Sequence, residues 1–250
     1  MTQAGHSFLA SLGKTRLRPG GIRATNWLLS KATITKDTKI LEVACNQCTN
    51  AIDLVKKTGC SITAVDLDKK VVDIAKHRVA AHGLTDHIKV EVANALSLPY
   101  PDQSFDLVIN EAMLTMLGDK QKNKAVAEYR RVLKPGGVLI THDVLLMTDN
   151  QDQLVSGLQR VIHVPAKPYH QANWEKLFLD NGFDKLDCIT GEMSLMNPIG
   201  MIRDEGIGTV IKIFKNAMKA KNRTYFKEMF TFFNQHKKDL GFIAIISYKE

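Results

Sequence analysis

Residues 39–66 read KILEVACNQCTNAIDLVKKTGCSITAVD: an apolar strand, a tight polar loop, a helix and a second strand that ends on an acid. Open parallel sheets use that order to seat a nucleoside at the carboxyl ends of their strands. Asp66 follows Cys48 by 18 residues, close to the spacing of roughly 20 at which such units place a carboxylate for ribose. The glycines usual in this loop are missing, and Ala44, Asn46 and Cys48 stand at the positions of a G-x-G-x-G run. Glycine there permits positive φ and a close approach of backbone to ligand. Asn46 is the best-tolerated substitute, because asparagine visits the left-handed region more readily than other side chains. Cys48 is the least suited, since it adds a side chain where helix and ligand meet. Binding is therefore expected to survive with altered affinity.

The alternation continues beyond this unit. Short runs rich in Val, Ile and Leu at 39–43, 62–65, 88–92, 105–109 and 138–141 read as five parallel strands buried on both faces. Helices are expected at 50–57, 68–81, with Asp68 as a cap, and 120–133, the last closed by Lys134-Pro135-Gly136-Gly137. Further on, 173–179 reads as a helix and 184–190 and 242–247 as strands. The fold class is α/β, a Rossmann-like doubly wound sheet. The segment 191–239, rich in Met, Phe and Lys and helical in period, is too long for a turn and reads as a helical lid over the carboxyl edge. The expected organisation is an N-terminal cap segment (1–36), a core (37–190), the lid (191–239) and a final core strand (240–250).

Composition excludes several classes. A chain of 250 residues with 44% hydrophobic content can bury one substantial core. No run approaches the roughly 18 apolar residues of a membrane span, and no secretory leader pattern opens the chain. Four irregularly placed cysteines (Cys45, Cys48, Cys60, Cys188) read as reduced thiols of a cytoplasmic protein. Cys45-x-x-Cys48 lacks a second pair to complete a zinc site and lacks the context of a redox helix, so no metal is expected. The net charge of +8 is concentrated at the ends: residues 1–36 hold six Lys/Arg and no acid, and residues 203–250 hold ten Lys/Arg against five acids. Such ends could face an anionic acceptor, a phosphate polymer or an acidic membrane.

The strings LEVACNQCTN, TAVDLDKKVVDIAKHR, VANALSLPYPDQSFDLVINEAMLTML and RVLKPGGVLI resemble successive motifs of class I S-adenosylmethionine-dependent methyltransferases. The branch is that similar to ubiquinone and menaquinone C-methyltransferases, and the likeness runs from about Leu17 to Ile140. It implies S-adenosyl-L-methionine as cofactor and an antiparallel last strand. It also implies that Glu42 closes the first strand while the turn Ala44, Cys45, Asn46 and Cys48 faces the methionine part. Asp66 would hold both ribose hydroxyls and Leu67 would cover adenine. Asn94 and the Ala95 N–H would read the adenine edge, and Asn110, at the end of the fourth strand, would complete the cofactor-binding set. Asn94 stands where the family usually has aspartate.

The chemistry implied is displacement at a sulfonium methyl, which rests mainly on positioning and exclusion of water. A general base would come from strand ends, Glu111 after the fourth or His142 and Asp143 after the fifth, with His163 and His170 as weaker candidates. The segment RLRPGGIRATNWLL resembles the part of this branch that folds over the site, with Pro19-Gly20-Gly21 as a turn and a helix at 22–29. Arg18 or Arg23 could clamp an acidic acceptor. Tyr169 and Met196 complete the expected acceptor contacts, Met196 being one of five lid methionines whose soft side chains suit an apolar molecule. The expected acceptor is a small molecule, handled by a monomer or homodimer with at most peripheral membrane contact. A nucleic-acid methyltransferase is the main alternative, but the fourth strand ends NEAM rather than in the Asn/Asp-Pro-Pro-aromatic tetrad of base amino methylation. A non-catalytic cofactor-binding protein is a second alternative. A nicotinamide-dependent oxidoreductase is disfavoured by the missing G-x-G-x-x-G.

Overall fold

A computed structural model describes residues 3–149 and 151–250. Two helices, α1 (Gly5–Leu12) and α2 (Gly21–Lys31), precede β1 (Lys39–Val43). The alternating core follows: α3 (Thr49–Thr58), β2 (Ser61–Asp66), α4 (Lys69–Ala81), β3 (Ile88–Val92), β4 (Phe105–Glu111), α5 (Asp119–Val132) and β5 (Leu133–Leu146). Then come α6 (Gln151–Ile162), α7 (Gln171–Asp180), β6 (Lys185–Glu192), α8 (Pro198–Glu205), α9 (Ile207–Ala217), α10 (Ala220–Gln235) and β7 (Leu240–Tyr248). The sheet order is β3-β2-β1-β4-β5-β7-β6. Strands β1 to β5 pair in parallel and β7 runs antiparallel to both β5 and β6. The order reverses between β1 and β4, which opens a crevice at their carboxyl ends.

Local chemistry sets these elements. Asp68 caps α4, its carboxylate accepting from Lys70 N at 2.8 Å, as its sequence position suggested. Pro135 and the left-handed Gly136 cannot continue α5, which stops at Val132. Alternation along the central strands then fixes which side chains meet the crevice. Ile40, Ile62, Ile109 and Ile140 pack under α2, α3 and α4, while Leu41, Val43, Val108 and Leu139 pack under α5 and α7. Glu42, Glu111 and His142 lie two residues beyond Ile40, Ile109 and Ile140, so they continue the first face past the apolar layer. A third cluster joins α1, α6, α8, α9 and α10 around Leu146 and Leu240, at the carboxyl end of β5.

Four boundaries differ from the sequence reading. The fifth strand is 14 residues long rather than four, because β7 pairs with it from Val138 to Leu146. β6 runs to Glu192, so the lid helices start later than 191, and β7 begins at Leu240 rather than 242. Helix α6 was passed over although Leu154, Leu158, Val161 and Ile162 stand at helical spacing and are buried. Helix α1 was missed as well. It is eight residues long with no acid in its first turn and no side-chain cap, so local signals are weak and packing of Phe8, Leu9 and Leu12 sustains it.

Candidate active site

The loop after β1 takes the backbone path that glycines would take. Ala44 (φ 58°), Asn46 (φ 48°) and Cys48 (φ 56°) are all left-handed. Each non-glycine residue held there costs about 1–2 kcal/mol, so the contacts that hold the loop must outweigh that strain. Cys45 N donates to Val65 O at 2.9 Å, Asn46 N to an Asp66 carboxylate oxygen at 3.0 Å, and Cys48 N to Cys45 O at 2.9 Å. Cys48 is fully buried, filling the space beneath the loop. Ala44 is the position where relief is cleanest, since its side chain is only half-buried. Ala44→Gly is expected to raise the melting temperature by a few degrees, a net gain of at most about 1 kcal/mol after the larger entropy of the unfolded glycine chain. A lower melting temperature in scanning calorimetry would show that the Ala44 methyl packs more than it strains.

Asp66 is bound on both oxygens. One accepts from Asn46 N and the other from Asp68 N, at 3.0 and 3.1 Å. Each carboxylate oxygen has a second lone pair, so the group is oriented and still able to accept. Leu67 beside it is 69% exposed, and Val92 at the end of β3 is 49% exposed. Two apolar side chains at adjoining strand ends thus present a surface for a flat apolar ring. Asn94 closes a turn by accepting from Leu96 N at 2.9 Å, and Ala95 lies within that turn. Its amide NH2 is not used in this turn.

A polar cluster fills the crevice between β4, β5 and α2. Glu111 accepts from Thr25 Oγ1 at 2.7 Å and from Asn50 Nδ2 at 2.5 Å, and its Oε1 lies 3.2 Å from His142 Nδ1. Burial raises the Glu111 pKa, but the hydrogen bond from His142, the Arg18 charge and the Thr25 bond outweigh it and hold the carboxyl near 2. His142 Nε2 accepts from Gly20 N at 2.8 Å. Its other nitrogen therefore carries the proton and donates to Glu111. His142 is fully buried. Both ring nitrogens are occupied, so this geometry does not support the expectation of His142 as general base. The ionised, thrice-bonded Glu111 is equally ill-suited to taking a proton. Asp143 points to the other face, accepting from Thr115 N and Val144 N.

The N-terminal segment is bolted over this cluster. A Cβ on Gly20 would sit 2.4 Å from the Phe242 ring, so only glycine lets the turn reach His142. Ser194 N donates to Pro19 O at 2.7 Å and Ile22 N to Asp204 Oδ1 at 2.7 Å. Glu205 accepts from Thr15 N and Oγ1 and from Arg16 N. Its carboxylate lies 3.6 Å from the buried Lys14 ammonium, and Asp204 lies 3.9 Å from the Arg18 guanidinium. Sequence reasoning missed Thr25, Asn50, Asp204 and Glu205. One signal was available: Asp204 and Glu205 are the only acids from Met193 to Lys227.

Arg18 is nearly fully buried, donating to Thr25 and, at 3.5 Å, to Asn50. The remaining acceptor candidates do not gather beside it. Arg23 is exposed on α2. Met196 is 2% exposed inside the helical cluster. Tyr169 packs on the α5 side, its hydroxyl donating to Asp119 Oδ1 at 2.5 Å and its ring 4.5 Å from Lys122 Nζ. His163 is exposed and stacks on Tyr225, and His170 begins α7. Cys45 and Cys48 are buried thiols, and their mutual hydrogen bond together with burial drives the Cys45 pKa upward. No group of three or more potential metal ligands occurs among the described residues.

Several buried polar atoms lack a hydrogen-bond partner among the described residues: Glu42 Oε2, both amide atoms of Asn110, and Arg18 Nε and Nη2, the last only ion-paired with Asp204. Burial, with the nearby Glu111 charge adding to it, pushes the Glu42 carboxyl up to about 8. A raised carboxyl keeps its proton in the fold above its ordinary value of 4.5. Folded-state stability should therefore decline as pH rises from about 4.5 to about 8 and level off beyond. Glu42→Gln is expected to flatten that decline in urea titrations across this window; an unchanged slope would place the decline elsewhere.

A switch-point crevice with an oriented carboxylate and unpaired polar groups defines a nucleoside-binding α/β protein. The family model described as a methyltransferase domain matches residues 40–137. An uncharacterized protein of Haemophilus influenzae is 50% identical over 99% of this chain and 98% of its own length. Methyltransferase GfsG of Streptomyces halstedii is 31% identical over 68% of this chain, which spans 62% of GfsG. Phosphoethanolamine N-methyltransferase 2 of Haemonchus contortus, solved with S-adenosyl-L-methionine, superposes with a TM-score of 0.77 at 16% identity, over 98% of this chain and 56% of that one. Residues 40–137 thus form a class I S-adenosylmethionine-dependent methyltransferase domain. The orphaned atoms of Glu42 and Asn110 and the open lone pairs of Asp66 fit that methyl donor, since a cationic, hydroxyl-bearing nucleoside carries donors and acceptors of the kind they would take.

Proposed function

We propose that the crevice holds S-adenosyl-L-methionine with Asp66 on the ribose hydroxyls, Leu67 against adenine and Asn94 with the Ala95 N–H at the adenine edge. Glu42, Asn110 and the 44–48 loop surround the methionine part, and the methyl group goes to a small organic molecule. The observation that carries this reading is the Asp66 carboxylate, fixed by Asn46 N and Asp68 N at the end of β2. When bound, the cofactor supplies a methyl group on a cationic sulfur that leaves in an in-line displacement. Glu42 stabilises positive charge, since a neighbouring cation draws its raised pKa back toward ionisation. Arg18 offers Nε and Nη2 to an anionic group, of the cofactor or of the acceptor. Glu111 and His142 position the Pro19-Gly20-Gly21 turn, which roofs the crevice and excludes water.

With both strand-end groups committed to the roof, the reading assigns the rate to positioning of the acceptor, an effect able to supply several kcal/mol. All the residues invoked lie on one chain, so a monomer suffices and a homodimer is compatible. Four free cysteines, three of them buried, favour a cytoplasmic setting. The test is transfer of label from methyl-labelled S-adenosylmethionine to a panel of small phenols, amines and carbon acids, with bulk RNA in parallel. Label in the small-molecule fraction supports the reading. Label in RNA alone, with affinity falling steeply as salt rises, would replace the acceptor class by nucleic acid.

A further inference from the structure

The outer surface of the lid has a feature that the crevice does not use. Ile207 is 65% exposed, Ile211 51% and Met218 52%, and with the half-buried Phe214 they recur at positions i, i+4, i+7 and i+11 along α9 and just past its end. That spacing is one helical stripe. It is separate from the buried stripe Val210, Ile213 and Ala217 that faces the helical cluster. Val210, Ile211, Phe214, Lys215 and Met218 line an open groove of about 480 Å³ along it. Lys212, Lys215 and Lys219 border the apolar stripe on its outer side, and Lys221, Arg223 and Lys227 continue onto α10, all of them exposed.

Charge is one-sided here. The only two acids from Met193 to Lys227, Asp204 and Glu205, are turned inward and spent on Arg18 and Lys14. The nearest exposed acids are Glu192 and Glu228 at the two ends of this stretch, so Arg203 and the six cations just named outnumber them seven to two.

We propose that α9 and the start of α10 form a docking surface for an anionic lipid bilayer, with Ile207, Ile211, Phe214 and Met218 entering the headgroup boundary and the lysines meeting lipid phosphates. An interfacial helix needs an exposed apolar stripe and a cationic border together, and this segment has both. A second copy of the chain is a poor occupant, because a symmetric contact would oppose the same cations to each other. A nucleic acid would satisfy the cations and leave the isoleucines in water. The inference does not rest on the methyl donor, so either can fail alone. It places the lid's outer face on the membrane, where an acceptor dissolved in lipid would be met.

The test is flotation of the full chain with vesicles of phosphatidylcholine alone and of phosphatidylcholine mixed with phosphatidylglycerol. Binding to the mixed vesicles is expected to exceed binding to neutral ones at least about tenfold and to weaken with added salt. Ile207→Ser with Ile211→Ser is expected to lower it by about tenfold with an unchanged melting temperature, since both side chains are exposed. Lys212→Glu with Lys215→Glu should lower it further. Absence of binding to mixed vesicles would overturn the proposal. So would binding indifferent to the isoleucine pair, which would mark a purely ionic contact, or loss of a dimer in the isoleucine variant, which would mark a second copy as occupant.

Discussion

Asp66→Ala is expected to weaken binding of S-adenosylmethionine and its demethylated product at least about a hundredfold. The loss has two sources. Removal of a carboxylate that accepts two hydroxyl hydrogen bonds costs about 1.5–3 kcal/mol per bond. The same carboxylate also anchors the 44–48 loop through Asn46 N, so three left-handed residues lose a contact that holds them in place. Asp66→Asn keeps one acceptor oxygen and should fall between the variant and the native protein. Asp68→Ala is the control: it removes the α4 cap and lowers stability by about 0.5–2 kcal/mol while leaving affinity near native. Titration calorimetry with the demethylated product checks all three, and native affinity in Asp66→Ala would contradict the assignment.

Glu111→Ala is expected to destabilise the fold by about 3–5 kcal/mol, because three buried donors lose their acceptor at about 1–3 kcal/mol each. Thr25, Asn50 and His142 lose their shared acceptor, and Arg18 retains Asp204, at 3.9 Å, as its nearby carboxylate. At about 2–4 °C per kcal/mol the melting temperature should fall by roughly 10 °C. Glu111→Gln keeps one acceptor and should lose less. A freed roof also admits water, so methyl transfer should fall further than cofactor affinity. A native melting point for Glu111→Ala would show that the cluster does not hold the N-terminal segment. The pH dependence carries the same signature: stability from Glu111 is present above its ordinary 4.5 and is lost as pH falls toward about 2.

The alternating core was legible because its central strands are buried and rich in Val, Ile and Leu, β3 alone alternating with exposed residues, and because Asp68 opens α4 and Pro135 bars α5 from continuing. The 44–48 loop was legible by its place between β1 and Asp66, but its path was not: the missing glycines argue for restricted positive φ, and the fold nevertheless holds Ala44, Asn46 and Cys48 left-handed. What could not be read was long-range polar pairing. Nothing local to Asp204 or Glu205 says that they meet Lys14, Thr15 and Arg18 some 190 residues away in the chain. His142 shows the same limit: at the end of a strand it resembles a base, and only the distant Gly20 N–H reveals that its Nε2 accepts a hydrogen bond. Met196 and Tyr169 were placed by side-chain character alone, and packing assigned them to separate clusters.

The most direct test of the account is a crystal structure of the protein with S-adenosylhomocysteine. The account predicts both ribose hydroxyls within hydrogen-bonding distance of Asp66 and the amino-acid part beside Glu42 and Asn110. An adenosyl group seated elsewhere, or an Asp66 carboxylate that touches only Asn46 and Asp68 with the ligand present, would contradict it.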